Sequence, residues 1–298
     1  MIKVSRLDKS FGEVHALNSV SMAVKKGSIY GLVGTNGSGK TTILKHITGI
    51  LKADSGRITI ADQPVFNNPQ IKERIAFIPD DLFFFGNYNL KDMAKMYRGL
   101  YPDWNQERFQ SIVDNFGLKM GSKIMRFSKG MQKQAAFALC MASMPDYLIL
   151  DEPVDGLDPL ARRAVWDIII NDCAEREMTV LISSHNLKEI EGICDTVGIL
   201  SNGNMVLERE LDDLRSNVHK IQVAFTERPE NPYEDLSILS KQQIGSIDML
   251  IVKNSAEEIE EALEQYSPVV LDILPLTLEE IFIYELGGEK NEFKDILS

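Results

Sequence analysis

Apolar residues alternate at Val20, Met22 and Val24, which predicts a half-buried strand, and the unbroken run Ile29-Tyr30-Gly31-Leu32-Val33 predicts a fully buried one. Further buried strands are predicted at 74–78, 147–150, 179–183 and 196–200. Between them, apolar positions recur at helical spacing over about 40–50, 90–100, 106–116, 129–142 and 160–175. Strands alternating with helices predict an α/β domain on a largely parallel sheet. From His219 the rhythm changes. Strands are predicted near 220–225, 247–252 and 269–274, with a helix over 256–265 and a last helix opened by Thr277 and Glu280 at capping-box spacing. This tail reads as a small α+β accessory domain.

Charge sharpens the division. The 298 residues carry a net charge of −12, and −11 of it lies from residue 216 onward, where 6 Lys and Arg face 17 Asp and Glu. That shift places the expected boundary between 215 and 216, giving domains 1–215 and 216–298. An acidic tail on a nearly neutral domain argues against binding a phosphate backbone, so no nucleic acid is expected as a partner. The first residues run straight into polar positions, with no signal-peptide core, and no stretch reaches the roughly 18 apolar residues of a membrane span. Cys140, Cys173 and Cys194 form no C-x-x-C pair, which suits a reducing cytoplasm and indicates neither a disulfide framework nor a zinc knuckle.

Two segments carry chemistry. Gly34-Thr35-Asn36-Gly37-Ser38-Gly39-Lys40-Thr41 satisfies G-x-x-x-x-G-K-[ST], with Thr42 next in line, between a predicted buried strand and a predicted helix. Glycines let successive backbone N–H groups curl round phosphates, the helix N-terminus favours anions, Lys40 reaches the β- and γ-phosphates, and the Thr41 hydroxyl is a Mg²⁺ ligand. ATP with Mg²⁺ is the expected ligand. The second segment is the apolar strand Tyr147-Leu148-Ile149-Leu150 ending in Asp151 and Glu152. Acids at the C-terminal end of a parallel strand face the same crevice as the phosphates. Asp151 is the candidate metal partner and Glu152 the candidate general base for an attacking water.

With these two segments in place, the chain resembles the ABC ATPase family, whose remaining landmarks occur in order over residues 1–215. The resemblance implies a P-loop NTPase core with a helical subdomain at about 82–145. Phe127-Ser128-Lys129-Gly130-Met131 is similar to the family's signature motif. Ser128, Lys129, Gly130 and Met131 would then bind the γ-phosphate of ATP held by an opposite subunit. Ser128 also reads as a plain N-cap of the following helix, and both readings hold together. Asp158, in Val154-Asp155-Gly156-Leu157-Asp158, matches the D-loop that reaches across a dimer. His185 matches the family's switch histidine. Phe11 resembles the aromatic residue that stacks on adenine, and packing in the core is an equal alternative for it.

The clearest departure from the family is at the Q-loop, where Asp80 stands at the position of a glutamine. A hard anionic oxygen there is a candidate Mg²⁺ ligand. Next comes Leu82-Phe83-Phe84-Phe85-Gly86-Asn87-Tyr88. Two readings fit these rings: a grip for a helix of a transmembrane subunit, or the core of the helical subdomain. The resemblance implies an ATP-hydrolysing subunit that dimerises with a second nucleotide-binding subunit and powers a separate permease, of the bacterial ABC-2 exporter type. It would sit in the cytoplasm against the inner face of the membrane. A soluble ABC protein acting on DNA or ribosomes is the alternative reading. The chain has neither the second cassette nor the inserted coiled coil that those proteins carry.

Overall fold

The computed structural model describes residues 1–213, 218–227, 229–274 and 276–285. It divides into two compact units, Met1–Glu208 and Arg209–Ser298. The boundary expected between 215 and 216 lies outside the described residues.

The first unit holds two sheets. One is antiparallel, built from β1 (Ile2–Phe11), β2 (Val14–Val24), β4 (Ser55–Ile60) and β5 (Gln63–Pro64) in the order β2-β1-β4-β5. The other contains β3 (Ile29–Val33), β6 (Ile75–Ile78), β7 (Tyr147–Asp151), β8 (Thr179–Ser184), β9 (Thr196–Ser201) and β10 (Asn204–Glu210) in the order β10-β9-β3-β8-β7-β6. The pairings of β6 with β7, β7 with β8, β8 with β3 and β3 with β9 are all parallel. Strands β3, β7 and β8 are buried along their whole length, as strands covered on both faces must be. Helix α1 (Lys40–Ile47) lies between the two sheets. Its Ile43, Leu44 and Ile47 join Ile2, Leu7, Leu17 and Ile60 of one sheet and Leu32, Ile149 and Leu181 of the other in a single core.

After the short α2 (Pro69–Lys72) and strand β6 comes a helical region. It contains α3 (Leu90–Leu100), α4 (Gln106–Asn115), a 3-10 turn at Ile124–Arg126, and α5 (Lys129–Ala142). Asn89 and Asp92 form a capping box on α3, Asn105 caps α4 and Ser128 caps α5. Helix α5 is buried from Lys133 to Ala142, which marks it as the core helix of this region. Strand β7 leads into α6 (Pro159–Arg176), and α7 (Leu187–Ile190) follows β8.

In the second unit β11 (His219–Ala224), β12 (Ile238–Ile244), β13 (Ile247–Val252) and β14 (Val270–Leu274) form an antiparallel sheet in the order β12-β13-β11-β14. Helix α8 (Ala256–Glu264) packs Ile259 and Leu263 against Ile221, Val223, Leu250 and Val252 of that sheet. The capping box at Thr277 and Glu280 is present on α9 (Leu278–Glu285), with main-chain to side-chain bonds of 3.0 and 3.2 Å.

The periodicity argument leaves out β1, β4, β5, β10, β12 and the first half of β2, and for three of these strands the structure shows a physical reason. In β1 the alternation of Ile2 and Val4 slips at Arg6, whose φ of 45° marks a bulge, and the register shifts twice more before Phe11. Strand β2 has the same break at Ser19, φ 48°, so only its last half shows period two. Strand β12 is a sheet edge that is exposed almost throughout and has no apolar face to betray it.

Candidate functional site

The loop 34–41 joins the C-terminal end of β3 to the start of α1, so the main-chain N–H groups of that helix open towards the crest of the parallel sheet. Gly39 precedes the helix at φ 110°, and a Cβ there would stand 2.7 Å from the Ala16 carbonyl. Any other residue would push the antiparallel sheet off the loop. Ser38 is buried, and its carbonyl accepts from Gly203 N–H at 3.0 Å, which ties the loop to the turn between β9 and β10. The Ser38 hydroxyl has no partner among the described residues.

Lys40 folds back over its own loop. It is 6% exposed, and its ammonium donates to the Gly34 carbonyl at 2.6 Å and the Thr35 carbonyl at 3.3 Å. It also stands 3.5 Å from Glu152 Oε1. This is a cation held at the mouth of an anion-binding loop by bonds that an incoming phosphate can replace.

Asp151 and Glu152 end β7 beside the loop. Asp151 is fully buried and satisfied on both oxygens: Thr41 Oγ1 donates to Oδ2 at 2.7 Å and Ser183 Oγ donates to Oδ1 at 2.5 Å. Glu152 leaves the strand at φ 48°, a left-handed conformation that costs a non-glycine residue about 1 kcal/mol. That turn aims its carboxylate into the crevice. There Oε2 accepts from His185 Nδ1 at 2.9 Å and from the His185 main-chain N–H at 3.3 Å. His185 is half exposed and sits just past the end of β8, the strand paired with β7.

A cavity of about 410 Å³ opens beside these groups, and Gly34, Ser38, Asp151 and His185 are not among its lining residues. Its lining brings together Thr35, Asn36, Gly37, Gly39, Lys40, Thr41 and Thr42 with Asp80 and Glu152. The expected residues from the signature and D-loop segments do not line it. Ser128 Oγ accepts from Met131 N–H at 3.2 Å, Asp158 Oδ1 accepts from Leu160 and Ala161 N–H at 3.0 Å each, and both side chains thereby cap their own helices. Lys129 and Gly130 form the first turn of that capped helix α5. A Cβ at Gly130 would lie 2.9 Å from the Gly156 carbonyl, so the signature and D-loop segments press on each other. Phe11 does not line the cavity either. It stands at the end of β1, 48% exposed, with the Lys9 ammonium 5.3 Å from its ring.

Asp80 follows β6 and is engaged at Oδ1 by the Lys133 ammonium, 3.1 Å away. The same ammonium donates to the main-chain carbonyl of Glu152 at 2.7 Å. The aromatic segment divides: Phe84 is buried, while Phe83, Phe85 and Tyr88 are exposed, with Phe85 touching both of the others. The sequence reading missed Ser183, Lys133 and His15, the last of which lines the cavity beside Asn202 and Gly203. Ser183 could have been found as a hydroxyl ending the strand next to β7. Nothing local in the sequence marks Lys133.

A family model described as "ABC transporter" matches residues 17–155. The chain is 32% identical to the ABC transporter ATP-binding protein YtrB of Bacillus subtilis, over 97% of this chain and 99% of that one. It is 28% identical to the bacitracin transport ATP-binding protein BcrA of Bacillus licheniformis, over 97% of this chain and 98% of that one. A solved structure of an ATP-binding subunit of an ABC transporter superposes with a TM-score of 0.67 at 28% identity, covering 72% of this chain and 91% of that one. With a phosphate loop, a buried carboxylate and a poised glutamate on a parallel sheet, and with a relative of this identity matched end to end, the chain belongs to the ABC transporter family, among its ATP-binding, ATP-hydrolysing subunits.

Proposed function

We propose that the 410 Å³ cavity holds ATP with Mg²⁺, and that hydrolysis occurs when a second nucleotide-binding subunit closes over it. The observation that carries this reading is Glu152 held between two partners beside the phosphate loop, Lys40 at 3.5 Å from one carboxylate oxygen and His185 at 2.9 Å from the other. Lys40 and the loop N–H groups take the phosphates. The metal suits Thr41 and Asp151, a hydroxyl and a carboxylate 2.7 Å apart that already point at each other. Among the described residues no three His, Cys, Asp or Glu side chains gather to hold a metal alone. A Mg²⁺ ion here would complete its octahedron with phosphate oxygens and water, as it prefers to do. Glu152 takes the proton of the attacking water, and His185 orients that carboxylate.

Because Ser128, Gly130 and Asp158 lie off the cavity, one chain contributes half a site. Their exposed face would serve the nucleotide of the second subunit, identical or related, which is the role the family resemblance implies for them. The exposed rings Phe83, Phe85 and Tyr88 suit the grip on a helix of a transmembrane permease. No helix among the described residues is long and apolar enough to cross a membrane, and a peripheral place on the cytoplasmic face would come through that partner. Export is favoured by the Ser-Lys-Gly-Met form of the signature and by the relative named for bacitracin transport.

The test is Glu152→Gln. Steady-state hydrolysis should fall by about 10²-fold or more while ATP still binds, because loss of a general base acts on the transition state rather than on binding. Equal rates in the two proteins would remove Glu152 from the base role.

A further inference from the structure

Lys133 lies on the second turn of α5 and is 9% exposed. Burying an ammonium costs several kcal/mol unless its charge is paired and hydrogen-bonded, so the two bonds it makes show what the residue holds. One goes to Asp80 Oδ1 at 3.1 Å and the other to the Glu152 main-chain carbonyl at 2.7 Å. The peptide plane preceding Glu152 is held as well, since the Glu152 N–H meets the Ser183 carbonyl and hydroxyl, each at 3.2 Å. Glu152 is therefore clamped on both sides in its left-handed conformation. A strained residue persists only where its surroundings over-determine it. The clamp on the carbonyl side is Lys133 alone among the bonds described, and Asp80, 53% exposed, orients that ammonium from the cavity rim.

We propose that Lys133 is a positioning residue for ATP hydrolysis, holding the Glu152 main chain so that its carboxylate faces the attacking water, and that Asp80 acts by setting Lys133. This rests on the reading of Glu152 as general base. It explains why an acid at position 80 is compatible with a phosphate site: its charge is answered by an ammonium instead of being left beside the nucleotide. It also gives the segment after β6, which carries the exposed rings Phe83, Phe85 and Tyr88, a physical route to the reacting centre. A shift of Asp80 moves Lys133, and Lys133 moves the Glu152 carbonyl.

The experiment measures kcat, KM for ATP and the Mg²⁺ dependence of hydrolysis in the full chain and in Lys133→Met, Asp80→Ala, the double variant and Glu152→Gln. Methionine keeps the unbranched stem of lysine one atom shorter and without the charge, and replacing a buried charge by an apolar side chain is commonly tolerated by the fold. Lys133→Met should lower kcat at least tenfold with KM for ATP within twofold and the melting temperature maintained. Asp80→Ala should lower kcat by a smaller factor with an unchanged Mg²⁺ midpoint. The double variant should lose no more than Lys133→Met does, because the two residues act in series. A kcat within twofold of the parent in Lys133→Met, losses that multiply in the double variant, or a Mg²⁺ midpoint moved by Asp80→Ala would each overturn the proposal. If Lys133→Met does not fold, Asp80→Ala decides the matter, since an unchanged kcat there is equally fatal. An inactive Glu152→Gln beside a fully active Lys133→Met defeats only the role of Lys133. A fully active Glu152→Gln defeats the base assignment beneath it.

Discussion

The crest of the parallel sheet and the signature segment at the start of α5 belong to one unit, yet they settle their polar groups in opposite ways. At the crest, partners come from far apart in the chain: Thr41 with Asp151, Glu152 with His185, Lys40 with Glu152. At the signature and D-loop segments every bond is local, with Ser128 capping α5 and Asp158 capping α6. Long-range bonding makes a site rigid before any ligand arrives. Local capping leaves a stable outward surface that changes nothing until another molecule meets it. If the proposed function holds, one half of the ATP site is completed by folding and the other only by association.

The largest way to break this contrast is Lys40→Ala. It removes the cation of the prebuilt half and leaves Glu152 facing an anion without a counter-charge. ATP affinity measured by calorimetry should fall by roughly 10²-fold and hydrolysis at least as much, charge-assisted bonds to a phosphate being worth about 1.5–3 kcal/mol. Retained affinity would mean that the main-chain N–H groups carry the phosphates alone.

Ser128→Ala probes the other half. Loss of the N-cap should cost about 1 kcal/mol of stability in chemical denaturation. ATP binding at low protein concentration should be unaffected, while hydrolysis at high protein concentration should drop. A weakened monomer affinity would show that the signature serine already touches the nucleotide of its own chain, and the contrast would collapse.

The smallest effect concerns the foundation of the loop. His46, on α1, is fully buried with Nδ1 2.7 Å from the Thr42 carbonyl, and burial pushes its pKa below the ordinary histidine value. The unfolded chain then binds the proton more readily than the folded one. The stability due to neutral His46 is complete above the ordinary value near pH 6.5 and is lost as pH falls below it. His46→Gln, which keeps an N–H for the Thr42 carbonyl, should flatten the decline of melting temperature between pH 7 and 5.5. An unchanged slope would assign that decline to other groups.

Much of this was legible in the sequence where the signal is contiguous. Eight consecutive residues build the phosphate loop, and an apolar strand ending in Asp151 and Glu152 announces its own C-terminal edge. Helices α3 and α5 begin and end where their caps and periodicity put them. The signal failed where geometry is made by distance or by irregularity. The bulges at Arg6 and Ser19 erase the period of the antiparallel sheet. Phe83, Phe84 and Phe85 look alike as letters, and only packing buries the middle one.

By itself, then, the sequence determined the chemistry available: which loop has the spacing to cradle phosphate, which acids end a strand beside it, and which segment resembles a signature. Those depend on neighbouring residues whose φ, ψ and side chains act together within a few positions. The tertiary structure decided what touches what. It left Phe11 and the signature outside the cavity, and gave Asp80 a lysine partner 53 residues away. It also used that lysine to hold the main chain of Glu152. A buried ammonium must find its acceptors wherever the fold brings them, and no local pattern can say where that will be.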